Sequence, residues 1–493
     1  EGFGTAYMLR VDESVTTSGP MSITQRVGWV AIVAIPVLVT FAMIVGGTPA
    51  KLGAFALVAL TVGAYIGLRH PLYLTRALAF SLGALPFGYV PGTPAPLVFT
   101  FGVATIFATV IHRTAVSRIT WPETAVIALI VLSALSVVVT ATGLGDFFEF
   151  GKWLISTLVV VCLLRMPRDE MAVFGRIYVY AASAAAAFAL LIFVGDPAGK
   201  LIRYLSILGY GAEEESTRFV YSPTGATSVR LAGTYIDPNA AGIGFVLALM
   251  LCILLLRGFL RTALATLLFL SIVLTLSRAA LFSVVFGVLL MFAFQQLRTR
   301  ERLAIVGAFV AAFIGALAVP SVRSRVFSSF GNEDAGSSAR GDALAEFPGH
   351  MQGHWLFGLG WGRPEFVDPA TAFEVNFVAN SPLLTVYRGG IFTGLAFTAI
   401  LVAGAVVGYR MLRSGRWELG FYGGTFIGFS VVALQLDFPV VSNPSTTATF
   451  SVMLAFVVYA WEKTTETSPD GDNIEDTKTK SLLSAEGTRP AVS

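Results

Sequence analysis

Three arginines fall where a fixed positive charge would serve chemistry. Arg230 lies in SVRLAGTYIDPN, Arg278 in LTLSRAALF and Arg340 in DAGSSARGD. A guanidinium keeps its charge at any accessible pH and offers a planar fork that matches phosphate oxygens. Three expected helix starts accompany them. Asp237 before Pro238 reads as an N-cap, Ser277 as the cap of the segment led by Arg278, and Asn380 or Ser381 as the cap of a helix led by Pro382 that Gly389-Gly390 breaks before the next span. Free N–H groups and the positive dipole end make a helix start an anion site. Cations and starts together predict a receptor for a diphosphate. Arg230 and Asp237 taken alone read more readily as an exposed arginine beside an ordinary capped helix. Arg278 is the sharpest signal: it falls at a tight outer hairpin or below the interface, an arginine at bilayer-centre depth costs ~2.5–3.5 kcal/mol, and the plainer alternative is snorkelling to the outer headgroups.

The elements that must hold these residues are apolar helices. The 493-residue chain is 55% hydrophobic and 13% charged, against about 25% charged for a soluble domain. Runs near the ~20-residue crossing length recur throughout, which predicts an all-α polytopic membrane protein. The predicted spans are 28–46, 52–68, 72–89, 96–111, 122–142, 149–165, 171–194, 239–256, 262–276, 279–295, 303–319, 391–409, 418–436 and 446–461, about 14 transmembrane helices. Alternate connections carry Arg69 and Arg76, Arg113 and Arg118, Arg165 and Arg168, Arg257 and Arg261, Arg298 and Arg300, then Arg410 and Arg413. Lys/Arg-rich short loops face the cytoplasm, so both termini are expected inside.

This gives a cytoplasmic N-terminal segment 1–27, a transmembrane domain 28–461 and a disordered cytoplasmic tail 462–493. Two extracytoplasmic loops are long, 195–238 and 320–390. The net charge of +3, dispersed over many loops, gives no basic face for nucleic acid. Cys162 and Cys252 lie inside apolar runs, which excludes a disulfide framework and a cysteine metal site. The natural start is expected at Met8 or Met21.

The densest polar stretch is Ser321–Pro382. His350 and His354 are four apart, but a zinc site needs a third ligand and the surrounding glycines argue against a regular helix, so no metal is expected. His354 beside Trp355 would suit the wall of a sugar site. DGDNIED in the tail lacks the glycine and terminal glutamate of a calcium loop.

In order along the chain, these fragments resemble the O-antigen polymerase and O-antigen ligase superfamily of bacterial envelope glycan enzymes. The matching residues are Arg230, Gly233 and Asp237-Pro238-Asn239, then Thr275-Leu276-Ser277-Arg278. Arg340, Phe357-Gly358-Leu359-Gly360, and Asn380 followed by Gly390 complete the series. The resemblance covers about residues 225–400, and the order of short motifs carries its specificity. It implies a glycosyltransferase-C-like, metal-independent enzyme of the bacterial cytoplasmic membrane without a cofactor, its active site facing outward. The donor would be a polyprenyl-diphosphate-linked glycan and the acceptor a glycan or lipid, with membrane lipids around it and room for a partner protein that sets chain length. Ligases of this family carry a histidine just before the position of Asn380. Here that residue is Ala379, which shifts the expectation toward the polymerase side.

On that reading, Arg230, Arg278 and Arg340 stabilise the leaving diphosphate, and Asp237, Asn239, Ser277 and Asn380 shape its pocket. Glu346, Glu374 and His354 are the candidates for a general base. Trp355, Trp361, Tyr210 and Tyr221 are candidate sugar-stacking rings, a composition that interfacial aromatic belts also produce. The rival readings are ligase-like transfer to a lipid, a polyprenyl-phosphate-sugar glycosyltransferase drawing on Asp146 or Glu149, and a lipid-linked glycan flippase.

Overall fold

Helices follow the apolar runs almost segment by segment. The computed structural model describes residues 48–111, 119–196, 200–211, 219–221, 227–295, 335–363, 380–434 and 443–465, with isolated positions in 37–47, 299–314 and at 378. The first half holds α1 (Thr48–Arg69), α2 (Leu72–Ala84), α3 (Leu97–Ile111), α4 (Trp121–Thr140), α5 (Leu144–Leu164) and α6 (Arg168–Gly195). The second holds α7 (Pro238–Leu255), α8 (Gly258–Leu274), α9 (Arg278–Phe294), α10 (Ala335–His350), α11 (Ser381–Gly389), α12 (Ile391–Leu412), α13 (Trp417–Val432) and α14 (Pro444–Thr465). Among the described residues, six helices are long and apolar enough to cross a membrane: α4, α5, α6, α7, α12 and α14. The protein is a helical membrane protein. Apart from those isolated positions, the predicted spans 28–46 and 303–319 lie outside the described residues, as do the loop arginines Arg113, Arg118 and Arg298 and the tail beyond Thr465.

Several boundaries differ from expectation, each for a local reason. The predicted span 72–89 stops at Ala84 because Pro86 follows Leu85 and cannot continue the helix. α5 begins five residues before the predicted 149, so Asp146 and Glu149 belong to its first turns and not to a loop. Asp146 Oδ2 accepts from the Thr142 amide at 2.6 Å and the Gly143 amide at 3.3 Å, which caps that start. The first long loop contains a short antiparallel hairpin, β1 (Phe219–Tyr221) against β2 (Thr227–Val229), and an isolated antiparallel bridge joins Tyr89 and Pro96. The second contains α10, which forms despite its glycines and Pro348 by burying Ala343 and Phe347 along one face, continued by Met351 just past its end.

The chain divides into two units, Glu1–Ile66 and Gly67–Ser493, and the candidate site belongs to the second. Its centre is α7 and α14, buried nearly all round. In lipid, helices associate through close packing, which small residues permit. The seam of α9, α13 and α12 is built that way. A Cβ on Gly287 would meet the Thr425 amide at 2.5 Å, one on Gly428 the Ser283 carbonyl at 2.6 Å, and one on Gly408 the Gly423 carbonyl at 2.8 Å. Helix ends are joined by ion pairs: Arg76 with Glu170 at 2.8 Å, Arg168 with Glu462 at 3.3 Å, Arg261 with Glu418 at 3.3 Å, and Arg165 with the buried Glu123. The three partly exposed pairs contribute about 0–1 kcal/mol each.

Candidate functional site

The seam fixes the level of two helix starts. α9 and α13 run antiparallel, with Gly287 against Gly424 and Ser283 against Gly428. Five residues back from Ser283 is Arg278, the first residue of α9, and five residues on from Gly428 is Ala433. The Ala433 carbonyl accepts the Ser381 amide at 2.9 Å, and the Leu434 carbonyl accepts Asn380 Nδ2 at 2.7 Å. The starts of α9 and α11 therefore stand at one height, level with the C-terminal end of α13, whose last carbonyls the α11 start satisfies.

That height is recessed. Gly408 of α12 faces Gly423 of α13, so Ala433 is level with the residue ten before Gly408. Ile391, the first residue of α12, lies seven residues farther out, about 10 Å at the helical rise. The chain reverses at Gly390, whose φ of 84° and ψ of 178° belong to a region held essentially by glycine. α11 thus runs back along α12 as a half-helix, with Thr393 Oγ1 donating to the Thr385 carbonyl at 3.2 Å. Asn380 Oδ1 caps α11 by accepting the Leu383 amide at 3.0 Å. The expected cap and the expected break at Gly389-Gly390 are both in place. Its N-terminus points into the bundle from below the surface, a position the sequence pattern placed simply at the re-entry.

A third start, that of α7, adjoins the start of α9. A Cβ on Gly242 of α7 would lie 2.9 Å from Ser277 Cβ and 2.8 Å from Ala280 Cβ, so the first turns of α7 and α9 pack directly. Arg230 ties them together: Nε donates to the Thr275 carbonyl at 2.8 Å and Nη2 to Asn239 Oδ1 at 2.9 Å. Asp237 accepts the Asn239 amide at 3.1 Å and the Ala240 amide at 3.0 Å. Burial raises its carboxyl above the ordinary value, against the opposing pull of those amides and of Arg230.

Both caps follow strained residues. Ile236 has φ 59° and ψ −61°, and the Asp237 amide donates back to Tyr235 at 2.5 Å, a γ-turn rare for any side chain and rarer for a β-branched one. Leu276, before Ser277, has φ 53°. Such strain costs about 1–3 kcal/mol per residue and gathers at functional sites.

The predicted residues separate into three groups. Arg230, Asp237, Asn239, Ser277, Arg278 and Asn380 occupy the three starts. Ser277 is fully buried and its Oγ accepts the Ala280 amide at 3.5 Å, so it acts as a cap and not as a ligand contact. Arg278 is half-buried. A second group lies on α10 and the turn after it. Arg340 is in α10, with its side chain outside the described residues; Glu346 is exposed, 3.8 Å from His350 Nε2; and His354 and Trp355 are exposed in the turn. α10 ends at His350, so the two histidines do not share a helical face. Among the described residues no cluster of three His, Cys, Asp or Glu fits a metal.

The third group is buried. Trp361 is 3% exposed, 4.5 Å from Trp153 and 5.5 Å from Phe150. It is a core ring and not an outward sugar platform. Tyr210 is likewise enclosed, by Ile192 and Ile202, and burial raises its phenol. Tyr221 belongs to β1 with its side chain undescribed; Glu374 and Ala379 lie outside the described residues.

Sequence reasoning passed over Arg388. Among the described residues it is the largest fully buried side chain, 1% exposed, its guanidinium 5.1 Å from the Trp361 ring centroid. Its backbone fastens the Phe357–Gly360 motif. The Gly360 amide donates to the Arg388 carbonyl at 3.1 Å, the Leu359 amide to Tyr387 at 2.7 Å and the Ile391 amide to Trp355 at 2.8 Å. Gly358, at φ 74°, passes so close that a Cβ would meet the Arg388 carbonyl carbon at 2.5 Å. The signal was present in VYRGG, an arginine between apolar residues and a glycine break. Beneath α11 a cavity of about 20 Å³, lined by Trp153, Thr157, Thr385 and Ser451 among others, has room for a water molecule and none for a sugar.

No protein-family model matches the chain, and no curated protein matches it.

Proposed function

We propose that the protein is a membrane glycosyltransferase that moves an oligosaccharide from a polyprenyl diphosphate onto a glycan acceptor on the outer face of a bacterial cytoplasmic membrane, as a polysaccharide polymerase of glycosyltransferase-C-like architecture with fourteen spans. The observation that supports this reading best is the convergence just described. The starts of α9 and α11 stand level on the end of α13, the start of α7 packs beside α9, and Arg230 and Arg278 add fixed charge to their positive dipole ends. The acceptor hydroxyl attacks the anomeric carbon, the bond from that carbon to the diphosphate oxygen breaks, and the electron pair leaves with the diphosphate. Charge grows on the leaving group, which is where preorganised cations and N–H groups lower the barrier most. The hydroxyl proton passes to a base on the outer loop, for which His354 and Glu346 are the exposed candidates.

The test is direct. Purified protein in liposomes, given a polyprenyl-diphosphate oligosaccharide, releases polyprenyl diphosphate and lengthens the glycan. Arg278→Ala lowers kcat by about 10²–10³-fold, the cost of removing one strong charge-stabilising donor, with folding unchanged. Vectorial movement of donor without release would instead establish a flippase.

A further inference from the structure

Most exposed apolar side chains of this protein lie on its long helices. Three consecutive ones do not: Trp355 is 42% exposed, Leu356 60% and Phe357 38%, in the turn after α10. The turn is rigidly held. The Trp355 carbonyl accepts the Ile391 amide at 2.8 Å, and the Phe357 carbonyl accepts Ser136 Oγ at 2.7 Å. These anchors also fix its height. Ile391 opens α12, and Ser136 lies one turn, about 6 Å, inside the end of α4 at Thr140. Both are membrane-crossing helices by length and composition.

Exposed apolar side chains also stand at the same ends of both helices. Phe392 (53%) and Leu395 (58%) on α12, and Leu135, Val138 and Val139 on α4, are exposed beside the turn at the same end. α10 turns Ala343 and Phe347 inward and leaves Asp342, Glu346 and His350 exposed. The three side chains therefore sit at the boundary where lipid-facing helix surface gives way to polar loop.

We propose that the Trp355-Leu356-Phe357 turn is an interfacial anchor that docks into the headgroup–acyl boundary of the bilayer leaflet at this end of α4 and α12. A tryptophan flanked by aliphatic and aromatic side chains suits that layer, with the ring in the apolar edge and the indole N–H in the wet one. Docking holds the α10 end of the long loop, with Glu346 and His354, at the membrane surface. The proposal concerns membrane contact alone and stands whether or not glycan transfer does.

The test places a nitroxide at Leu356→Cys in full-length protein whose buried Cys162 and Cys252 are replaced by alanine, reconstituted in phosphatidylcholine/phosphatidylglycerol vesicles. Collision with lipid-partitioning oxygen is compared with collision with a water-soluble nickel chelate. The expected oxygen-to-nickel ratio at 356 resembles that of a label at Leu395→Cys on the lipid-facing helix and exceeds that at Asp342→Cys. A ratio equal to or below the Asp342→Cys value overturns the proposal. If Leu356→Cys cannot be recovered folded, the same comparison at Trp355→Cys decides it.

Discussion

Replacing Gly390 with alanine isolates the junction that holds α11, α12 and the outer turn together. The backbone there, at φ 84° and ψ 178°, costs an alanine on the order of 1–3 kcal/mol. The new Cβ would also overlap the Leu356 carbonyl and meet the Phe357 amide nitrogen at 2.7 Å. Both obstacles are backbone, so no side-chain rotation relieves them and the turn must withdraw. Withdrawal breaks the bonds from Ile391 to Trp355, Leu359 to Tyr387 and Gly360 to Arg388, each about 1 kcal/mol net. The combined loss is about 4–6 kcal/mol, mostly local because the helices keep their own hydrogen bonds. A loss of about 4 kcal/mol corresponds to roughly 10³-fold faster amide exchange in the turn. Hydrogen exchange read by mass spectrometry on protein in nanodiscs should show it for peptides spanning 355–361, with far-UV dichroism unchanged. Gly341→Ala, where a Cβ meets nothing within 4 Å, is the control and should leave exchange as it was. Wild-type protection over 355–361 in Gly390→Ala would refute the reasoning.

Two further perturbations address the rest of the frame. Arg165→Ala strands the buried Glu123 carboxylate and should lower stability by about 3–5 kcal/mol; adding Glu123→Gln should restore much of it, and a double-mutant cycle on unfolding midpoints in detergent that came out additive would count against the pair. Asp237 has a carboxyl raised above its ordinary value of 3.8, so the folded state holds the proton more tightly than the unfolded one. Its contribution to stability is therefore greatest at low pH and declines as pH rises from 3.8 through the raised value. Asp237→Asn keeps an N-cap of equal quality and should flatten that part of the melting-temperature profile; an unchanged slope would show that Asp237 is not its source.

Much of the frame could be read from the chain because the cause was local. The caps at Asp237, Ser277 and Asn380 and the break at Gly390 follow from side-chain hydrogen bonding and backbone sterics within a few residues, and each stands where the pattern placed it. α10 was missed because its stability comes from burying Ala343 and Phe347, a tertiary contact that outweighs its glycines and Pro348. Trp361 illustrates the opposite limit. Its type suits a sugar face as well as a core, and only its contacts with Trp153, Phe150 and Arg388 assign it to the core.

The sequence by itself determined that the chain is a set of membrane helices, where several of them start, and that arginines cluster near those starts, because hydropathy, capping and charge act over short stretches. The tertiary structure decided which starts meet. Close approach at Gly242, Gly287 and Gly428 sets the register of α7, α9 and α13, and a bond from Ser381 to Ala433 brings in a helix a hundred residues away in sequence. Helix register depends on interlocking surfaces of partners distant along the chain, and no local pattern encodes the partner. That is why three separately legible helix starts come to one level only when the bundle is assembled.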